Sequence, residues 1–168
     1  KPKYLTLADK PKSIPIGIVV RCGNDYDEPI TEAVTLKPGE KTPVRWFVRM
    51  LQMIRDEIGA DVDAYVVSDG TKKQLMELLS MKNTHFVRPG SAICDLLTIA
   101  RAKILIAAGT STFSAWAAFL GQMSSASHPG QPLTNWGLIP ERRQFIGEVD
   151  PKNPNPDFIN QMKKVLLS

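Results

Sequence analysis

The chain has 168 residues, 43% of them hydrophobic, and a net charge of +4 from 21 basic and 17 acidic side chains. That length suits one compact domain with a proper core, and charges of both signs intermixed without like-charged blocks fit an anionic small ligand better than a nucleic-acid surface. Aromatic residues, at 7%, are not interleaved with basic ones as a single-strand stacking platform requires, and no apolar run approaches the roughly 20 residues of a membrane span.

In chain order, Ile14 to Val20 (IPIGIVV) is a β-branched run that predicts a buried strand. The stretch from Gly23 to Pro43 is rich in Gly, Pro, Asp and Glu and reads as a long loop, a candidate wall of a binding cleft. Thr42 is expected to cap a helix with Pro43 at its first position. The apolar face of that helix repeats through Trp46, Phe47, Met50, Leu51, Ile54 and Ile58 until Gly59 ends it. Asp63 to Ser68 predicts a second strand, followed by a helix through Gln74, Leu75, Leu78 and Leu79, and then a short strand over Thr84 to Val87. Ser91 caps the next helix, Ile104 to Ala107 forms a fourth strand, and Phe113 to Leu120 a helix closed by Gly121. Beyond that, Met123 to Ser127 reads as a further strand and the Pro-rich region up to Pro156 as loop. A last amphipathic helix is expected over Asp157 to Leu167, capped from about Asn155. Strand alternating with helix implies right-handed crossovers and a doubly wound parallel sheet with helices on both faces, in the α/β class.

Ligands of such sheets bind beyond the C-terminal strand ends. The polar clusters fall there: Arg21-Cys22-Gly23-Asn24-Asp25 after the first strand, Ser68-Asp69-Gly70 after the second, Thr110-Ser111-Thr112 after the fourth. The last of these joins a strand end to a helix N-terminus, where backbone N–H groups and the helix dipole attract phosphate. Arg21 can hold a phosphate bidentately, and Asp69 or Asp95 can accept from ribose hydroxyls or a guanine edge. The same residues have plainer uses: Asp69 as cap of the Gln74 helix, Ser111 and Thr112 as N-caps, Asp95 as first-turn charge, Arg21 as a surface ion-pair partner. Cys22, Cys94, His85 and His128 show no paired or metal-ligand spacing, so neither a disulfide framework nor a metal site is expected.

Three segments, VVRCGNDY at 19–26, YVVSDG at 65–70 and CDLLTIARAKILIAAGTSTFSAWAAFL at 94–120, resemble fucosyltransferases of the alpha-1,2, alpha-1,6 and protein O-fucosyltransferase group. In that group a His-x-Arg-x-Gly-Asp segment, a Ser-Asp-Asp segment and an Asn-Ser-Thr-Phe-Ser-Trp-Trp segment follow in the same order. The resemblance implies the C-terminal, GDP-fucose-binding Rossmann-like half of a GT-B glycosyltransferase. On this reading residues 1–168 form one sugar-nucleotide domain without the N-terminal domain that holds a glycan or protein acceptor, and the start at Lys1 rather than Met fits a fragment. It further implies metal-independent, inverting transfer with no cofactor besides the donor. Arg21 would contact the β-phosphate and stabilise the leaving diphosphate, with Gly23 beside it. Ser111, Thr112 and Phe113 would hold the diphosphate, Asp95 would read guanine, and Ser68 and Asp69 would line the nucleoside pocket. Asp25 is the candidate base for the acceptor hydroxyl, with Asp27 and Glu28 in the same loop.

The chain departs from the family pattern at Val19 in place of His, Cys22 in place of a second Arg, Asn24 at the Asp position, Gly70 in place of the second Asp and Ala115 in place of one Trp. These departures support an alternative expectation, a nucleotide- or glycan-binding module that has lost transfer chemistry. A transferase using a UDP-sugar is a further option.

Overall fold

The β-branched run at the start of the core does form the sheet's centre. In a computed structural model, which describes residues 14–23, 35–37, 39–87, 91–133 and 144–168, β1 (Ile14–Val20) pairs in parallel with β2 (Ala64–Ser68) on one side and β4 (Ala102–Ala107) on the other. Outward from β2 lies β3 (Thr84–Phe86); outward from β4 lie β5 (Ser124–Ser127) and β6 (Ile146–Glu148). The strand order is β3-β2-β1-β4-β5-β6 and every pairing is parallel. The chain winds outward from β1 in one direction and then in the other, so a crevice opens beyond the C-terminal ends of β1 and β4.

Helices cover both faces, as the apolar spacing predicts. On one face Ile16, Ile18 and Val20 of β1 meet Trp46, Phe47, Met50, Leu51 and Ile54 of α1 (Val44–Ile58), Leu78 of α2 (Met76–Leu79), and Phe158 and Met162 of α5 (Pro156–Leu166). On the other face Val19, Val67, Leu105 and Ala107 pack with Ile99 of α3 (Ala92–Ile99) and with Ala117 and Ala118 of α4 (Thr112–Gly121). A fully buried Leu, Ile or Phe in such a cluster stabilises the fold by about 1.5–3 kcal/mol through lost apolar surface.

Several boundaries differ from the sequence reading. α1 starts at Val44 with Pro43 as its N-cap residue; the Thr42 hydroxyl instead donates to Gln131 Oε1 at 2.6 Å. The helix expected through Gln74 is one turn only, and Asp69 does not cap it. Thr71 and Gln74 close that turn between themselves, Gln74 Oε1 accepting from the Thr71 amide at 2.8 Å and Thr71 Oγ1 accepting from the Gln74 amide at 3.3 Å. α4 runs through Gly121 and ends on Gln122 in the left-handed region (φ 48°). The stretch read as Pro-rich loop contains β6, which adds an edge strand of three residues.

Candidate functional site

The crevice is built where three strands end. At β1 the chain leaves the sheet as Arg21-Cys22-Gly23, and at β2 as Ser68-Asp69-Gly70. The Asp69 carboxylate ties the two together. Its Oδ1 accepts the Cys22 amide at 2.7 Å, its Oδ2 accepts the Gly23 amide at 3.2 Å, and the same Oδ2 lies 3.3 Å from Arg21 Nη1. A carboxylate accepting two backbone N–H groups beside a guanidinium fixes the direction in which that guanidinium projects. Behind this latch Ser68 Oγ accepts the Gly70 amide at 2.9 Å and lies 3.8 Å from Cys22 Sγ. Position 70 has no room for a side chain, because a Cβ there would sit 2.7 Å from Cys22 Sγ.

At the third strand end, the Ala108 amide donates to the Val19 carbonyl at 2.9 Å, and the chain turns through Gly109 and Thr110 into α4. Gly109 packs directly on the backbone of Gln131. Thr110 holds φ at +56°, a left-handed conformation that costs a β-branched residue on the order of 1–2 kcal/mol. Ser111, only 2% exposed, then caps α4 by accepting the Ser114 amide at 3.4 Å. Across the crevice Ser91 caps α3 in the same way, accepting the Cys94 amide at 3.3 Å, and Asp95 lies in that helix's first turn.

These elements enclose a cleft of about 320 Å³ whose walls include Arg21, Ser68, Asp69, Asp95, Phe113 and the apolar Val67. Such a volume is within the range of small-molecule sites, and the mixture of apolar walls with a few converging polar groups is their usual chemistry. Five of the sequence-derived site residues therefore share one cleft. The other three described ones do not line it: Gly23 sits on the loop that Asp69 latches, Ser111 is buried as a helix cap, and Thr112 is exposed at the start of α4. Asp25, with Asp27 and Glu28, lies outside the described residues.

A second cavity of about 250 Å³ adjoins Arg21 on its other side. Its walls are Cys22, Lys41, Thr42, Pro43, Val44 and Gln74. Sequence reasoning missed Lys41, because it falls in a long loop with no periodicity; the Thr42-Pro43 helix start was the signal that could have placed it at a strand-end rim. Nearby, Gln131 is fully buried and its amide nitrogen donates to the carbonyls of Lys37 and Glu40. His128, at the end of β5, is buried with its ring 5.5 Å from that of Trp46 and its Nδ1 2.9 Å from the Pro129 carbonyl. Burial lowers its pKa below the ordinary value. It acts in packing. Among the described residues no group of three or more His, Cys, Asp or Glu side chains could hold a metal ion, and no helix is long and apolar enough to cross a membrane.

No family model and no curated protein matches this sequence. Among solved structures the chain is similar to UDP-GlcNAc 2-epimerase of Methanocaldococcus jannaschii, crystallised in complex with UDP-GlcNAc and UDP. The TM-score is 0.58 at 11% identity, over 100% of this chain and 42% of that one. Likeness at that identity establishes the fold: this chain is an α/β, Rossmann-like domain. The chain spans less than half the length of that enzyme.

Proposed function

We propose that this domain binds a sugar nucleotide through its nucleoside diphosphate, and that in a larger enzyme it is the donor-binding half of an inverting, metal-independent glycosyltransferase using GDP-fucose. One observation carries the reading: at the topological switch point an oriented guanidinium, Arg21, stands in the same cleft as Asp95 and Phe113. Arg21 supplies charge to phosphoryl oxygens. Asp95 offers two acceptor oxygens, which match the paired N–H donors of a guanine edge better than the single N–H of uracil. The sequence resemblance supports the same assignment and adds the fucosyl unit. Nucleotide sugar binding by the structural neighbour agrees with it in kind, though that ligand carries uridine.

In the transfer itself the acceptor hydroxyl attacks the anomeric carbon, the bond to the diphosphate breaks, and the hydroxyl proton passes to a base for which Asp25 is the sequence candidate. Arg21 stabilises the negative charge that collects on the departing diphosphate. A second reading, binding without transfer, is favoured by Val19, which is 1% exposed within the apolar face of β1, and by Cys22 and Gly70, which pack on each other and offer no charge to a phosphate.

Calorimetry with GDP, UDP, ADP and their sugars tests the proposal. GDP or GDP-fucose is expected to bind more tightly than the others, and Arg21→Ala to abolish that binding while the protein stays folded. Unchanged GDP affinity in the variant would refute the phosphate role of Arg21. Tighter binding of UDP would overturn the guanine assignment, and donor binding without hydrolysis or transfer by an enzyme that includes an acceptor domain would select the second reading.

A further inference from the structure

Arg21 lines two cavities. The cleft on one side contains the carboxylates of Asp69 and Asp95 and apolar walls at Val67 and Phe113, suited to a base and ribose. The chamber on the other side has Arg21 and Lys41 in its walls and no carboxylate among its described lining residues. The backbone around Lys41 is held in place from both sides. The Thr42 hydroxyl donates to the fully buried Gln131, which in turn binds the Lys37 and Glu40 carbonyls, so the chain before and after Lys41 is anchored to one buried amide. A cation on a fixed backbone, facing a chamber shared with a second cation, discriminates ligands by charge at one position.

We propose that this chamber is a second anionic subsite, which receives the terminal phosphoryl group and the sugar attached to it, and that Lys41 is the residue distinguishing a nucleoside diphosphate from a monophosphate. The proposal rests on the sugar-nucleotide reading for the occupant of the neighbouring cleft. A nucleoside monophosphate ends at Arg21; a diphosphate continues past it and reaches Lys41. One charge-assisted contact of this kind corresponds to about a ten- to hundredfold change in affinity.

The test is calorimetry on the 168-residue chain with GDP, GMP and inorganic pyrophosphate, using the wild type, Lys41→Ala and Lys41→Arg. Lys82→Ala serves as control, since Lys82 pairs with Asp61 at 2.7 Å near the opposite ends of the strands. Lys41→Ala is expected to weaken GDP at least tenfold while GMP changes less than twofold, and Lys41→Arg to restore most of the loss. If GDP and GMP weaken by one common factor, or GDP does not weaken, the subsite is refuted while the sugar-nucleotide reading stands. If pyrophosphate binds in a Lys41-dependent way and no nucleotide binds, the subsite stands and that reading fails. Absence of binding by all three probes refutes both.

Discussion

Replacing Gly70 with Ala measures how tightly the ends of β1 and β2 are locked together. A Cβ at this position would lie 2.7 Å from Cys22 Sγ, 2.9 Å from Cys22 Cβ and 3.1 Å from Ser68 Oγ, where unstrained contacts between such atoms need about 3.5–4.0 Å. Rotation of the Cys22 side chain moves Sγ but not Cβ, so the backbone must give. Overpacking of this size costs about 1–3 kcal/mol. Gly70 is not in the left-handed region, so Ala is compatible with its backbone and by itself stabilises by about 0.4–1 kcal/mol through a less disordered unfolded chain. The net expectation is a loss of about 1–2 kcal/mol for Gly70→Ala alone. In a Cys22→Gly background the two closest atoms are gone, leaving only Ser68 Oγ at 3.1 Å, and the same substitution becomes close to neutral. Urea unfolding of the four proteins completes the cycle, with an expected coupling energy of about 1–2 kcal/mol and no change in m. Additivity to within about 0.5 kcal/mol would refute the argument that these two departures from the fucosyltransferase pattern compensate each other sterically.

Gly109→Ala should be more damaging, because its Cβ would overlap the carbonyl oxygen of Gln131, a backbone atom that no rotamer change can move. A loss of more than about 3 kcal/mol is expected in thermal or urea melts, and a melting point equal to the wild type's would contradict the close packing of this turn. His128 makes stability depend on pH in a definite direction. Its folded pKa is lowered from 6.5 by burial, so between that lowered value and 6.5 the unfolded chain binds more protons than the folded one. Stability therefore falls as pH drops through this window and is unaffected by His128 above it. His128→Phe should flatten that part of the profile of urea midpoints against pH; an identical slope in the variant would show that another group is responsible.

What the sequence disclosed and what it hid have the same physical origin. The central strands and α1 were legible because burial on the sheet leaves a dense periodic record: IPIGIVV, DAYVVS and the Trp46–Ile58 repeat can satisfy their apolar surface in few other ways. β6 was not legible, because three residues with Gly147 at the centre carry no alternation to read and depend on β5 for their hydrogen bonds. α2 was overread for the opposite reason. Leu75, Leu78 and Leu79 repeat at helical spacing, yet the Thr71–Gln74 exchange spends the preceding residues on a turn, leaving one turn of helix. Of the site, the residues that follow strands were placed on one rim by topology alone. The partner of each was not, since a contact between residues 22 and 69 or 70 and 22 leaves no trace in a single sequence.

Asp69 illustrates how that missing information alters the reading of a role. From sequence it is a carboxylate beside a nucleoside pocket; in the structure both of its oxygens are engaged by the loop that carries Arg21. Both side chains of the pair are partly exposed, at 28% and 29%, so their mutual attraction is screened and contributes modestly to stability. Its larger effect is on direction. A guanidinium has five donors in a rigid fork, so contact with Asp69 and contact with a phosphoryl oxygen are compatible, and holding one edge determines where the rest can reach. The carboxylate also sets an electrostatic limit, because a diphosphate lying on the Asp69 side of Arg21 would meet two like charges, Asp69 and Asp95. The polarity proposed for the ligand, base toward Asp95 and phosphate toward Lys41, rests on that placement of charge around a single oriented arginine.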